Sequence, residues 1–319
     1  MLFKRKKENN KYGKTFTALG TINNISCFGK KGEEALNVAY KRVLEIDNRM
    51  SAFKNDSDVM KINKSAGIEA QKINVDTFNL LKRSLDFSKC SEGAFDITIR
   101  PLTSLWGFSK KLNYIPKKEE IEKALPLVNY QDLILDDEES TAFLKKVGQA
   151  IDLGGIAKGY AADEVKRIFL QYKIKDAIIN LGGNIVVLGH NERGEPWKIG
   201  IQNPFSITGN YIGTIKTTNK TIVTSGSNEQ FFIKDGVRYH HILDPHSGYP
   251  VNKELLSVTV VCESSIDADA VTTALFVSDM DQAIPMLKSI NAEGIFVMQN
   301  QQVYVTEGLQ KKFEGSFNI

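Results

Sequence analysis

From residue 197 onwards, the sequence consists mostly of strand-like segments that follow one another directly: WKIGIQNP, YIGTIKTTNKTIVTS, EQFFIKDGVRYHHIL and LLSVTVVCE. One of them contains Asp235-Gly236 between two alternating runs, and this dipeptide is typical of a two-residue β-hairpin. Strands that are not separated by helices pair most simply as antiparallel neighbours, which argues against a doubly wound parallel sheet. We therefore expect an α+β fold with largely antiparallel sheets and packed helices.

Other segments supply helices that could cover such sheets. Residues 32–49 and 74–90 carry apolar residues at helical spacing, and Asp76 is positioned to cap the second helix. The further expected elements are an extended segment at 15–28, a helix, strand, turn and strand within 113–150, a helix at 160–171, an apolar strand at 176–188 broken by Leu-Gly-Gly-Asn, helices at 267–277 and 280–290, and a terminal hairpin.

The first 14 residues, MLFKRKKENNKYGK, are basic and are not followed by the apolar segment of a secretory signal. We expect residues 1–14 to form a disordered tail and residues 15–319 to form one domain. No segment approaches the roughly 20 apolar residues of a membrane span. The chain as written is therefore expected to be cytoplasmic, or membrane-anchored or extracytoplasmic if a leader has been removed.

Charge and cysteine content exclude further classes of protein. The net charge is only +3 and the basic residues form no stripe, which argues against nucleic acid as the main partner. The three cysteines show no C-x-x-C spacing, so neither a disulfide framework nor a zinc site is indicated.

A glycine-rich turn, DLGGIAKGYAAD, begins at Asp152 and leads into the helix expected at 160–171. Its glycines, Gly154, Gly155 and Gly159, allow the backbone to approach a ligand and can aim free N–H groups at an anion, while Lys158 adds a positive charge. The spacing matches neither a dinucleotide fingerprint nor a P-loop. A phosphate site and a tight strand-to-helix turn both stay open.

A second glycine pair, Gly182-Gly183, interrupts an apolar strand. Paired glycines weaken a strand, so they indicate either a bulge or a closely packed ligand. Taken alone, the pair favours the bulge.

Three of the four histidines fall within seven residues, at positions 240, 241 and 246. On an extended strand His240 and His241 face opposite sides, so both cannot easily bind one metal. A histidine beside the Asp244-Pro245 turn suits a general base, because its ordinary pKa lies near neutrality. The structural alternative is a turn with surface histidines.

The segment Ile266-Asp-Ala-Asp-Ala-Val-Thr-Thr-Ala274 places Asp269 and Thr273 four residues apart, hence on one face of a helix. A carboxylate and a hydroxyl oxygen suit a hard cation such as Mg²⁺. The alternative is that Asp267 or Asp269 caps the helix N-terminus.

The order of these motifs is more specific than any one of them. DLGGIAKGYAAD, NLGGNI, WKIGIQNP, TSG, HHILDPHSGYP and DADAVTTAL together resemble the ApbE family of FAD:protein FMN transferases. The resemblance begins near residues 18–21 and includes the segments at 50–53, 93–98, 101–102 and 106–108. It extends to about residue 300 and implies an ApbE-like fold, related to the T-fold.

The resemblance also implies a reaction. Members of the family bind FAD, pass its FMN half to a Ser/Thr hydroxyl of a flavoprotein and release AMP. It places Mg²⁺, with Mn²⁺ as a substitute, on Asp269, Thr273 and the Ala157 carbonyl, and it matches His241 with the catalytic base. The residues that it implies for FAD binding are Met50, Ser51, Phe53, Phe95, Asp96, Thr98, Asp152, Gly154, Gly155, Lys158, Gly159, Gly183, Ser225, Gly226, His241 and Ile242.

Two departures from the family pattern leave alternatives open. Ser227 stands where the family often has Asp, and Phe53 stands where it has Tyr. Some relatives hydrolyse FAD to FMN and AMP, so an FAD pyrophosphatase stays an alternative to the transferase, as does a non-catalytic FAD-binding protein. An oxidoreductase would need a second substrate site that the sequence does not show.

The helix segment also partly imitates a substrate of the family. Family acceptors carry Asp, two residues, Ser or Thr, a small residue, Ala and then Ser or Thr. Asp269-Ala-Val-Thr272-Thr273-Ala-Leu275 shares part of this pattern. We expect it to stay unmodified, because it is assigned to the metal site and has the pattern of a buried helix face.

Overall fold

The computed structural model describes residues 10–110, 112–206 and 209–315. Its strands are β1 (Lys11–Ala18), β2 (Thr21–Phe28), β3 (Gln71–Lys72), β4 (Leu133–Asp136), β5 (Thr141–Leu144), β6 (Asp176–Leu181), β7 (Asn184–Leu188), β8 (Trp197–Gln202), β9 (Tyr211–Thr217), β10 (Thr221–Gly226), β11 (Phe231–Lys234), β12 (Val237–His240), β13 (Leu255–Cys262), β14 (Glu293–Met298), β15 (Val303–Val305) and β16 (Phe313–Gly315). Its α-helices are α1 (Gly32–Met50), α2 (Asp58–Lys64), α3 (Val75–Cys90), α4 (Arg100–Trp106), α5 (Lys118–Ala124), α6 (Ala157–Gln171), α7 (Ser265–Val277), α8 (Ala283–Ser289) and α9 (Glu307–Gln310).

An eight-stranded sheet in the order β1-β2-β6-β7-β10-β13-β14-β15 forms the centre of the fold. Every neighbouring pair in it is antiparallel. Two three-stranded sheets, β16-β9-β8 and β3-β5-β4, and the β11-β12 hairpin accompany it. The predicted α+β class with antiparallel sheets and packed helices is confirmed.

Both faces of the large sheet are covered at its central strands β10 and β13. Successive residues of a strand point to opposite faces, so Val223 and Val260 join the core beneath α1, α6 and α7, whereas Ile222 and Val261 pack against the β8-β9-β16 sheet. A strand that is buried on both faces needs apolar residues at consecutive positions. This explains why apolar residues stand at consecutive positions in both strands, at Ile222-Val223 in β10 and at Val260-Val261-Cys262 in β13.

The helix predicted at 32–49 is α1. It buries Ala35, Ala39, Val43 and Ile46, the apolar positions that recur at helical spacing. Its neighbour α3 matches the helix predicted at 74–90, but the predicted cap is wrong. Asn74 caps α3 by accepting the Asp76 N–H, and the Asp76 carboxylate instead pairs with arginines of α1.

Two further predictions about local structure need correction. Strand β1 begins at Lys11, so residues 11–14 belong to a hairpin with β2 rather than to a tail. The rest of the predicted tail, residues 1–9, lies outside the described residues. Gly182 and Gly183 form the two-residue turn of the β6-β7 hairpin, not a bulge, with φ of 61° and 95°. Both values lie in the left-handed region that such a turn requires.

The hairpin predicted at Asp235-Gly236 is confirmed. Strands β11 and β12 pair across it, and the two turn residues have φ of 52° and 77°. Among the helices of the described ranges, none is both long and apolar enough to cross a membrane.

Candidate functional site

A pocket of about 240 Å³ opens where five parts of the fold meet. Its walls come from the segment before α4, the turn before α6, the β6-β7 hairpin with β10, the segment after β12, and α7. These elements are far apart in the chain, so the pocket exists only once the large sheet and its helices have packed. The predicted site residues that line it are Phe95, Asp96, Asp152, Gly154, Gly155, Lys158, Ser225, His241, Ile242, Asp269 and Thr273.

Several other predicted residues lie outside the pocket lining. Met50 is buried at the end of α1, and Thr98 is fully buried. Ser51 accepts a hydrogen bond from the Phe53 N–H, and the Phe53 ring is 60% exposed beneath the Arg100 guanidinium, 4.2 Å from its centroid. The remaining predicted residues that do not contribute to the lining are Ala157, Gly159, Gly183 and Gly226.

Three glycines lie in the turn before α6 and in its first turn. Gly154 and Gly159 have structural roles, and Gly155 faces the pocket. Gly154 donates its N–H to Asp152 Oδ1 at 2.9 Å, so this group is not free for an anion. A Cβ on Gly159 would lie 2.3 Å from the Ser265 carbonyl oxygen, so this glycine allows α6 to cross α7 closely. Gly155 faces the pocket, where a Cβ would meet the Phe95 ring at 3.2 Å.

Asp269 is the most deeply held acidic group of the site, with 4% of the residue exposed. Its Oδ2 accepts the Gly159 N–H at 2.9 Å, and its Oδ1 lies 3.2 Å from the Lys158 ammonium. It does not cap α7, because Ser264 accepts the Asp267 N–H there and Asp267 pairs with Arg83. The capping alternative for Asp269 is therefore wrong.

The residues around Asp269 fit a divalent cation by two observations. The Lys158 ammonium lies 2.9 Å from the Gly154 carbonyl oxygen and 3.2 Å from Asp269 Oδ1, so this oxygen-lined position already accommodates a positively charged group. The Thr273 hydroxyl lines the same pocket, 3.4 Å from the Asp269 carbonyl oxygen. The described residues contain no cluster of three or more His, Cys, Asp or Glu with metal-site geometry, so the protein would supply a single carboxylate.

The two neighbouring histidines have different environments. His240 is buried, its Nε2 lies 2.8 Å from the Val251 carbonyl oxygen, and its ring meets Phe276 edge-on. His241 lines the pocket, and its Nδ1 is buried without a hydrogen-bond partner. Burial lowers the pKa of His241 to about 4, with His240 acting in the same direction. His241 is therefore a neutral imidazole that can accept a proton from a group in the pocket.

An aromatic cluster fixes the hairpin from which His241 follows. Phe232 of β11 and Tyr239 of β12 stack on each other with ring centroids 5.3 Å apart, and they pack on Phe108 and Trp106. The Trp106 indole N–H donates to the Gly248 carbonyl oxygen at 2.9 Å. The hairpin is thus packed against Trp106 of α4 and Phe108 after it, while Ile242 and Val251 of the following segment belong to the main core.

Asp96 lines the pocket but is occupied by the protein itself. Its Oδ1 accepts the Thr98 N–H at 2.7 Å and the Thr98 hydroxyl at 2.6 Å, and its Oδ2 accepts the Tyr130 N–H at 2.9 Å. Burial raises the pKa of Asp96, and these hydrogen bonds oppose the shift. Asp96 and Thr98 therefore hold two loops together at the pocket wall.

Four polar lining residues were not predicted as site residues: Thr103, Asn184, Thr224 and Glu229. Asn184 is 1% exposed, its Oδ1 accepts the Ser265 hydroxyl at 2.6 Å, and its buried Nδ2 has no partner. It ends the Leu-Gly-Gly-Asn motif, so the motif could have pointed to it. Glu229 also lines the pocket; desolvation raises the pKa of its carboxyl, while Lys158 opposes and Asp269 adds to the shift. No sequence motif marks Glu229.

Comparisons with known proteins point to one family. The model of the ApbE family matches residues 19–296. A FAD:protein FMN transferase of Klebsiella pneumoniae is 34% identical over 275 residues, which cover 86% of this chain and 85% of that protein. A FAD:protein FMN transferase of Treponema pallidum is 28% identical, with coverage of 93% and 87%.

Solved structures give the same result. The ApbE protein of Thermotoga maritima superposes with a TM-score of 0.87 at 32% identity, covering 96% of this chain and 100% of that one. The flavin transferase ApbE of Vibrio cholerae superposes with a TM-score of 0.85 at 25% identity, covering 95% and 99%.

Proposed function

Because the chain belongs to the ApbE family, we propose that it transfers the FMN half of FAD to a serine or threonine hydroxyl of a target flavoprotein and releases AMP. The observation that carries the proposal is the meeting in one pocket of a neutral imidazole whose buried Nδ1 has no hydrogen-bond partner, a buried carboxylate paired with a lysine, and the pocket-facing Gly155. The similarity to FAD:protein FMN transferases over most of the chain supports it.

The proposed reaction exchanges the phosphoanhydride bond of FAD for a phosphoester bond to the acceptor. The acceptor hydroxyl oxygen attacks the phosphorus of the FMN half and forms a new P–O bond. The P–O bond to the bridging oxygen breaks, and AMP leaves with that oxygen and its electron pair. The hydroxyl proton goes to His241, which is uncharged at neutral pH because burial lowers its pKa to about 4.

Asp269 and Thr273 would hold Mg²⁺, or Mn²⁺ in its place, together with the Ala157 carbonyl. When bound, the metal would neutralise charge on the diphosphate oxygens. Ala157 is buried and outside the pocket lining, whereas the other two residues face the pocket. The metal assignment therefore depends most on Asp269, whose substitution is the sharper test.

The flavin and adenosine parts of FAD need apolar walls, and the chain offers Phe95 in the pocket and Phe53 beside it. The Phe53 ring lies under Arg100, which is itself paired with Asp152 at 3.0 Å. Asp152 lines the pocket, so this chain of contacts supports Phe53 as a stacking surface near it. The family pattern adds further residues to the proposed FAD contacts: Met50, Ser51, Thr98, Gly159, Gly183, Ser225, Gly226 and Ile242.

The direct experiment incubates the purified protein with FAD, Mg²⁺ and candidate flavoproteins from the same source. Intact-mass analysis of each flavoprotein should show an FMN adduct, with one AMP released per adduct. Free FMN and AMP without an adduct would establish FAD hydrolysis instead. If FAD is neither consumed nor transferred in the presence of any candidate, the proposal loses its support.

Metal dependence is tested in the same assay. EDTA should abolish transfer, Mg²⁺ should restore it, and Asp269→Ala should lose most activity. Full activity of EDTA-treated Asp269→Ala protein would remove the metal from the proposal.

The role of His241 is tested by comparing neighbours. His241→Gln should lower kcat by about 10²–10⁴-fold with little change in FAD affinity, since a general base acts only in the reaction step. His240→Gln should mainly lower stability, because His240 is buried and bonded to the Val251 carbonyl. If both substitutions lower kcat equally and only mildly, His241 has a structural role and is not the general base.

A further inference from the structure

Lys158 holds the position that the proposed metal needs. Its ammonium lies 3.2 and 3.4 Å from the two carboxylate oxygens of Asp269 and donates to the Gly154 carbonyl oxygen at 2.9 Å. The Asp269 side chain is 5% exposed and that of Lys158 is 25% exposed. Without Lys158, the carboxylate would keep only the Gly159 N–H as a partner among the described residues.

A buried carboxylate needs a compensating charge, but it cannot give the same oxygens to two cations at close range. A divalent ion on Asp269 would meet the ammonium as a like charge in a poorly solvated place. Binding of the ion therefore requires Lys158 to leave Asp269. The four-carbon stem of lysine permits such a movement without a change in the backbone.

The pocket offers the displaced ammonium a destination. Lys158 itself lines the pocket, in the first turn of α6, and its charge already acts on Glu229 and His241 there. A diphosphate in this pocket would be a strong acceptor for an ammonium group. The released lysine would thus add its charge to the substrate only after the metal has taken over Asp269.

We propose that Lys158 exchanges partners: it neutralises Asp269 in the metal-free protein, is displaced when the metal binds, and then pairs with a diphosphate oxygen of FAD. The inference rests on the proposed function, because it assumes that FAD and the metal share this pocket. It predicts opposite effects of one substitution. Removing the ammonium strengthens metal binding and weakens FAD binding, a combination that a purely structural role would not produce.

The experiment measures free Mn²⁺ by electron paramagnetic resonance during titration of metal-stripped protein without FAD. Lys158→Met should bind Mn²⁺ about tenfold more tightly than wild type, because no ammonium has to be displaced. In the presence of saturating Mn²⁺, the same variant should bind FAD about tenfold more weakly. Lys158→Arg keeps the charge and should keep the wild-type Mn²⁺ affinity within about twofold.

Two further variants keep the result interpretable. Lys41→Met removes an exposed lysine of α1 that does not line the pocket and should change neither affinity. Lys158→Gln is the substitute if the methionine variant does not fold, since its amide can still donate to Gly154. Unchanged or weaker Mn²⁺ binding in the uncharged variants would overturn the exchange. Absence of Mn²⁺ binding to every variant, with and without FAD, would instead overturn the metal in the proposed function.

Discussion

At the residue scale, His241 shows how burial sets the charge state of a functional group. The pKa of His241 is lowered to about 4 from an ordinary 6.5, so the folded protein keeps this ring neutral where the unfolded chain would protonate it. Between these two values the unfolded state binds more protons. Stability therefore falls as the pH is lowered from about 6.5 towards 4.

This linkage gives a measurable prediction. The free energy of unfolding of wild type should decrease between pH 7 and pH 5, and His241→Gln should remove a part on the order of 1 kcal/mol of that decrease. Urea unfolding at the two pH values measures it. The pKa of His240 is also lowered by burial, but His240 is present in both proteins, so the difference between them isolates His241. Parallel pH profiles of the two proteins would contradict the shift.

The sequence motifs predicted which residues line the site, but they did not predict which of these residues contact one another. Asp269, Thr273, Lys158 and His241 do line one pocket, as their joint appearance in family motifs implied. The Lys158–Asp269 ion pair spans 111 positions of the chain, and no local spacing indicates it. Such a pair follows from the crossing of two helices, which the sequence does not reveal by periodicity alone.

At the element scale, the crossing of α6 and α7 positions the proposed metal site, because Ala157 lies in α6 and Asp269 and Thr273 lie in α7. Gly159→Ala is the sharpest test of this contact, because a Cβ there would lie 2.3 Å from the Ser265 carbonyl oxygen and 2.7 Å from Ile266 Cα. Alanine normally stabilises a helix by up to about 1 kcal/mol relative to glycine. Here we expect a loss of about 1–3 kcal/mol in the free energy of unfolding, because the two backbones must separate.

Gly154→Ala provides the matched control for urea unfolding. A Cβ on Gly154 meets only the Asp152 side chain, at 3.2 Å, and we expect a change below about 0.5 kcal/mol. If Gly159→Ala is as stable as wild type, the helices do not pack as closely as described.

The β11-β12 hairpin is the second element with a direct link to the site, because His241 follows β12. Phe232→Ala removes a buried ring that packs on Tyr239 and Phe108. We expect kcat to fall by about 10- to 100-fold while the far-ultraviolet circular dichroism stays unchanged, since a small displacement of a reacting group is enough to slow catalysis. Ile233→Ala, on the same strand but 63% exposed, is the control and should keep wild-type kcat. Equal kcat in both variants would show that the packing of the hairpin does not affect catalysis.

Two turns were predicted from the sequence with different success. Asp235-Gly236 gave the correct hairpin because Asp-Gly is specific for its turn type. Gly182-Gly183 suggested a bulge because the apolar residues on both sides read as one strand. In the structure both glycines have left-handed φ values and form a tight turn, so the segment is two antiparallel strands and not one. Glycine content alone does not separate these outcomes.

At the scale of the whole molecule, the sequence predicted antiparallel neighbours but not the order of the large sheet. Adjacent strands such as β1-β2 and β6-β7 follow from short turns. The pairing of β2 with β6 joins segments about 150 positions apart, and burial of one face of each strand in the main core accompanies it, with Ile25 and Cys27 of β2 beside Ala177 and Ile179 of β6. The pocket depends on these distant pairings, which explains why its polar wall residues Asn184 and Glu229 were not foreseen.

The whole fold also decides whether the protein can modify itself. The segment Asp269-Ala-Val-Thr272-Thr273 partly imitates a family acceptor, but α7 packs into the core, where Thr272 is fully buried and donates its hydroxyl to the Asp269 carbonyl oxygen at 2.9 Å. Reaching another molecule's FAD would require α7 to unfold. We therefore expect no FMN adduct in the intact mass after long incubation with FAD and Mg²⁺, although an added acceptor flavoprotein is modified in the same tube. A covalent adduct that maps to Thr272 or Thr273 would show that α7 opens, and it would also remove Thr273 from the proposed metal site.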